Sequence, residues 1–176
     1  DSDGNLYTGS ATVEITYFNP TAEQFVNAFP GNFSGIETGG TEVEIASFGF
    51  IDVEIKNGDE ILNLQEGSTA TLRMSIPSQL AGKAPDSMPL WYYDKSDGKW
   101  KEYAMAAKNQ ANAFEGELPH FSTINLDMKV EELSEIEGRV TDQFGNTLSR
   151  AYIKIEGIDF KRSVQGKTDE NGYFKF

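Results

Sequence analysis

Apolar and polar residues alternate with a period of two along most of this chain, and turn residues cut the alternation into short runs. Residues 11–18 set Val13, Ile15 and Tyr17 on one face and Thr12, Glu14 and Thr16 on the other, the mark of a half-buried strand. Asn19-Pro20 ends that run. A short helical turn is predicted over 21–29, where Thr21 stands as a cap with Gln24 three residues on. Residues 30–40 read as a Gly-rich loop anchored by Phe33 and Ile36. Strand patterns resume over 41–46 and 48–56. Asn57-Gly58 turns the chain into 60–64, Glu66-Gly67 turns it again, and 69–76 places Ala70, Leu72, Met74 and Ile76 on one side. A long connection with Pro77, Pro85 and Pro89 follows. Two aromatic runs then flank residues 94–99, a hairpin with Asp97-Gly98 as its turn. Further strands are predicted at 114–118, 121–128, 136–142 and 151–157, and a turn over 168–172 leads to a last one. No segment keeps a helical period for long. The pattern predicts an all-β protein of sandwich-like modules.

Composition sharpens this reading. Twelve Phe, seven Tyr and two Trp favour strands over a helical bundle. Net charge is −13, which disfavours nucleic acid and anionic membrane surfaces as partners, since both need a basic face. The acidity is uneven. Residues 1–133 hold 21 Asp and Glu against 8 Lys and Arg, whereas 134–176 hold 7 of each. The absence of cysteine removes disulfides, thiolate catalysis and Cys-based zinc sites. No apolar run approaches the roughly 20 residues of a membrane-spanning helix. No signal-peptide pattern is visible. The chain opens on a turn sequence and closes within a strand pattern, so we read it as an internal piece of a longer protein.

The charge break suggests a division into an acidic β-sandwich module over 1–130, a linker over 131–134 and a second module over 135–176. In the last, Gly138, Val140, Asp142, Gly145, Ala151, Ile153, Gly157 and the run Thr168-Asp169 with Asn171-Gly172 and Phe174 resemble the carboxypeptidase regulatory-like domain, a transthyretin-like β-sandwich. Residues 135–176 cover roughly its first half. Ser149-Arg150 departs from the small or proline-containing turn usual there. The resemblance implies a non-catalytic appendage of an exported bacterial protein, placed at the cell surface or in the periplasm. Residues 1–130 resemble bacterial surface β-modules and, distantly, ZU5-type β-sandwiches. The residues that carry this are Ile76-Pro77, Ala84-Pro85, 89–94, Trp100 and His120-Phe121-Ser122. Some members of that group cleave themselves between the Phe and Ser of such a triplet.

Three candidate chemistries follow. Self-cleavage at Phe121–Ser122 needs a hydroxyl aimed at the preceding carbonyl, a base and strain; on a strand, His120 and Ser122 would face the same side. The plainer alternative makes Phe121 a packing residue and Ser122 an ordinary strand hydroxyl. No G-x-S-x-G elbow supports a Ser-His-Asp hydrolase. Trp91, Tyr93 and Trp100 could form a stacking platform for glycans, with Tyr92 and Tyr103 nearby, although core packing is the alternative for most of them. Facing across the hairpin predicts one tryptophan buried and the other more exposed. The start, Asp1-Ser2-Asp3-Gly4-Asn5, resembles half a calcium loop without its later Glu, while Asp94, Asp97, Asp169 and Glu170 read as turn acids. Calcium therefore stays open; zinc and other cofactors are not expected. The sequence points to a non-enzymatic structural or adhesive module that binds a protein or glycan partner, with self-processing between Phe121 and Ser122 as the alternative.

Overall fold

The computed structural model describes residues 5–131, 134–158 and 160–176. The chain divides into two compact units, residues 1–130 and 131–176. Part of the expected linker, residues 132 and 133, lies outside the described residues, as do Asp1 and Asp3 of the calcium-like start.

The first unit is all-β and sandwich-like. Its nine strands are β1 (Thr12–Phe18), β2 (Ser34–Ile36), β3 (Glu42–Asn57), β4 (Glu60–Leu62), β5 (Ala70–Ser75), β6 (Ser87–Asp94), β7 (Lys99–Lys108), β8 (Ala113–Leu118) and β9 (Thr123–Lys129). They join in one sheet of order β1-β3-β9-β6-β7-β8-β5, with β2 bridging β3 and β7 and β4 beside β3. The expected strands at 41–46 and 48–56 are one long strand, β3. Its register against β9 shifts between Ser47 and Phe50, a bulge where Gly49 adopts φ 119°.

This bulge turns apolar residues of β3 to both faces. One layer is aromatic. Phe25, Phe29, Phe33, Ile45, Phe50, Trp91 and Trp100 pack together, with Phe29 stacked on Phe33 at 4.1 Å and tilted against Trp100 at 5.2 Å. The other layer holds Phe48, Ile51, Val53, Leu72, Met74, Leu90, Phe114 and Ile124, all buried. Phe48 meets Phe114 edge-on.

The helix is shorter than expected: α1 covers only Phe25–Ala28, and its cap position is Gln24, not Thr21. Thr21 instead bonds through its N–H and hydroxyl to Asn19 Oδ1, so Asn19 organises that turn. Strand β2 lies where a loop was expected. Gly35 is the reason it can lie there: a Cβ would stand 2.6 Å from Trp91 Cζ3, so only glycine lets the backbone lie on the indole.

In the second unit β10 (Glu137–Arg139) pairs with β13 (Tyr173–Lys175), and β11 (Tyr152–Glu156) with β12 (Ser163–Lys167), antiparallel in both cases. Strand β12 has no counterpart among the expected elements, because Gln165, Gly166 and Lys167 break its apolar alternation. Thr168 is buried and staples the unit: its hydroxyl donates to the Leu148 carbonyl at 2.6 Å and accepts from the Ala151 N–H at 2.8 Å.

Replacing Gly35 by Ala should destabilise the first unit by about 1–3 kcal/mol through overpacking on Trp91. Urea unfolding followed by tryptophan fluorescence reads this directly, since both tryptophans lie in that unit.

Candidate functional site

The aromatic hairpin is core, not platform. Trp91 and Trp100 are both 0% exposed, which corrects the expectation that one of them faces solvent. Each indole N–H is satisfied internally: Trp91 donates to the Asp127 carbonyl at 3.0 Å and Trp100 to the Pro30 carbonyl at 2.9 Å. Neither ring can stack on a sugar in this fold. Tyr93 is half-buried and packs edge-on against Trp100. The hairpin's cross-strand alternation held, but strand β2 and the 25–33 segment cover the face that alternation left open.

The turn acids also have local work. Asp94 accepts from Lys101 Nζ at 2.5 Å and from both Ser96 donors, which holds its carboxyl well below the usual carboxylate range. Asp97 shares Lys101 at 2.8 Å, and Asp169 accepts the N–H groups of Asn171 and Tyr173. Among the described residues no group of three or more His, Asp or Glu could hold a metal ion.

His120, Phe121 and Ser122 do not lie on a strand. They form the corner between β8, which ends at Leu118, and β9, which starts at Thr123, so the same-face argument for His120 and Ser122 fails. The His120 ring sits edge-on to Tyr92 at 5.1 Å and tilted to Tyr103 at 6.0 Å. The Ser122 hydroxyl is buried without a hydrogen-bond partner, and so is that of Tyr103, whose phenol burial pushes far up. The residue that organises the corner was not foreseen. Asn63, just past β4, accepts the Phe121 N–H at 2.8 Å and donates to the Phe121 carbonyl at 3.3 Å. One side chain thus mimics a strand neighbour and polarises the carbonyl of the Phe121–Ser122 bond.

The most open feature lies elsewhere. Val13, Ile15 and Tyr17 alternate as expected and share a face with Ile55, Val53 and Ile51, their partners on β3. Yet they are 55%, 65% and 45% exposed, so β1 is not half-buried by its own module. A groove of about 700 Å³ runs from Ile15 and Tyr17 past Ile51 to Leu72, Met74 and Ile76. Its two walls are β1 and β5, the ends of the strand order, and each pairs on one side only among the described residues. Among the described residues no acidic side chain lines it, although the chain carries 28 acids. The arrangement is an apolar slot between two strand edges. The chain matches no protein-family model, no curated protein and no solved structure.

Both tryptophans should resist acrylamide quenching in the native protein and become fully quenchable in urea. Soluble polysaccharides should leave native quenching unchanged; protection of one tryptophan would reinstate a glycan platform.

Proposed function

We propose that this chain is a non-enzymatic structural and adhesive β-module that holds a protein partner in the β1–β5 groove. The observation that carries the reading is the exposure of Ile15 and Tyr17 in that slot, with exposed Val13 next along the same strand face. An extended polypeptide fits it best. Alternate apolar side chains would enter between Ile15 and Met74, while its backbone pairs with the free edge of β1 or β5. A glycan fits less well, because Tyr17 is the single aromatic side chain among the lining residues. The placement in an exported bacterial surface or periplasmic protein rests on the resemblance of residues 135–176 to the carboxypeptidase regulatory-like domain. Peptide-display selection against the intact chain should return sequences with apolar residues at alternate positions. Ile15→Glu, at an exposed site, should weaken their binding at least about tenfold, roughly 1.4 kcal/mol. Selected peptides that bind Ile15→Glu as well as wild type would overturn the reading.

A second reading, self-processing between Phe121 and Ser122, is favoured by one pair of observations. Asn63 donates to the Phe121 carbonyl, and the adjacent Ser122 hydroxyl is buried and unbonded. Attack by that hydroxyl would transfer the acyl group of Phe121 from nitrogen to oxygen, and water would then open the ester. Against it, the Ser122 hydroxyl bonds to no base: His120 packs on the two tyrosines. Intact mass of freshly purified protein separates the readings. We expect one full-length species, unchanged by Ser122→Ala. Two fragments that Ser122→Ala and Asn63→Ala both suppress would establish processing.

A further inference from the structure

A polar cluster is buried in the aromatic layer, at the β3 bulge. Ser47, Asn125 and Asp127 are 4%, 0% and 0% exposed. Ser47 lies opposite Asp127 in the β3–β9 register, and Asn125 lies opposite both Phe50 on β3 and Trp91 on β6. Asn125 stands 2.5 Å from Asp127 Oδ2 through one end of its amide and 3.0 Å from Ser47 Oγ through the other. The Gly49 N–H donates to Ser47 Oγ at 3.1 Å, which ties the cluster to the bulge.

Burial decides how this cluster is bonded: a carboxylate without a cation is costly in a dry layer, whereas a neutral acid can donate its proton to an acceptor. Turning the Asn125 amide by half a rotation exchanges its oxygen and nitrogen and presents the oxygen to that proton. Asn125 Nδ2 then donates to Ser47 Oγ. The Ser47 hydroxyl, which also acts on the Asp127 carboxyl, keeps its hydrogen for that carboxyl. Asp127 Oδ1 is buried and unpartnered, which costs far more for a carboxylate than for a neutral acid.

We propose that Ser47, Asn125 and Asp127 form a proton-held latch between β3 and β9, in which Asp127 is a neutral acid donating to the Asn125 amide oxygen and ionisation opens the seam. Among the described residues Asp127 forms no ion pair. Ser47 stands opposite it on β3, and Asn125 and Lys129 share its face on β9. Trp91 on β6 donates to its carbonyl, and Glu102 on β7 stands opposite Trp91, so charge is carried there by Glu102 and by the Lys129 ammonium. That ammonium is bound to Glu37 at 2.9 Å and to Glu102 on β7 at 3.0 Å. Burial is the dominant influence on Asp127 and pushes its carboxyl up to about 8, against weaker lowering by Ser47 and Asn125. The sign follows. An acid raised in the folded state keeps its proton where the unfolded chain has lost it, so its stabilisation is complete below the unfolded value near 4. It fades as pH rises to about 8 and is gone above that. The half-buried carboxylates held low by Lys partners, such as Glu37 and Glu54, act with the opposite sign and below about pH 5.

The test is urea unfolding of the intact chain, followed by tryptophan fluorescence, from about pH 5 to about pH 9. The wild-type midpoint should fall steadily to about pH 8 and then level. Asp127→Asn, which is isosteric and cannot ionise, should abolish that fall. A second measurement holds if the variant does not fold: the Asp127 carboxyl carbon, followed by NMR in the wild-type protein, should titrate only near or above neutrality. A flat wild-type midpoint, an unchanged slope in Asp127→Asn, or a carboxyl signal already ionised at about pH 5 would each overturn the latch.

Discussion

The bulge in β3 is the constraint on which the first unit depends. Without the extra residue between Ser47 and Phe50, strict alternation would keep one set of side chains on one face for the whole strand. With it, Ile45 and Phe50 both join the aromatic layer, while Phe48 and Ile51 both face the other. The sheet is thereby covered on two sides and needs two different lids. The aromatic lid is supplied by residues 25–36, and Phe18 at the end of β1 stacks on Phe50 at 4.1 Å. Gly49 makes this feasible: beyond its positive φ, a Cβ there would press on Pro20 and Tyr17 at 3.1 Å.

The sequence made the strands legible wherever alternation and a turn dipeptide coincide. The strand at 12–18, the Asn57-Gly58 turn and the Asp97-Gly98 hairpin stand as expected because their signals are local. What stayed hidden is set by tertiary packing. Residues 34–36 read as loop because three residues within a Gly-rich stretch show no alternation, yet Gly35 is required under Trp91 and pairs with both Val43 and Trp100. The fate of the tryptophans was hidden for the same reason: facing arguments know the hairpin, not the segment that folds over it. The corner at 120–122 shows a third limit. His120 and Ser122 could be named from the triplet, but Asn63, which bonds both backbone groups of Phe121, lies 58 residues before it and carries no motif.

The buried polar cluster and the bulge belong to one design. A bulge leaves backbone groups without ladder partners, and such groups are costly in a dry layer. Ser47 Oγ answers this by accepting the Gly49 N–H, and it needs Asn125 and Asp127 to complete its own bonding. A neutral acid meets that need where a carboxylate would not, since burying an unpaired charge costs far more than burying a bonded hydroxyl. The lone buried carboxyl of β9 is therefore explained by the backbone irregularity of β3 opposite it.

The same two-lid logic gives the β1–β5 slot its meaning. One lid is closed; the other is closed from β9 to β5 and open between β5 and β1. Fully covering an Ile or Val side chain gains about 1.5–3 kcal/mol, so the exposed faces of Val13 and Ile15 are a standing driving force for association. Ordering a free peptide costs about 1–2 kcal/mol per residue, which a loose apolar contact would not offset. Pairing with a strand edge adds hydrogen bonds for the same ordered residues. An occupant that is already extended, or held so by its own protein, loses least on entry. On the proposed reading the groove would therefore favour a strand in a partner over a flexible apolar tail, with Tyr17 at its end, facing Ile51, as an aromatic stop.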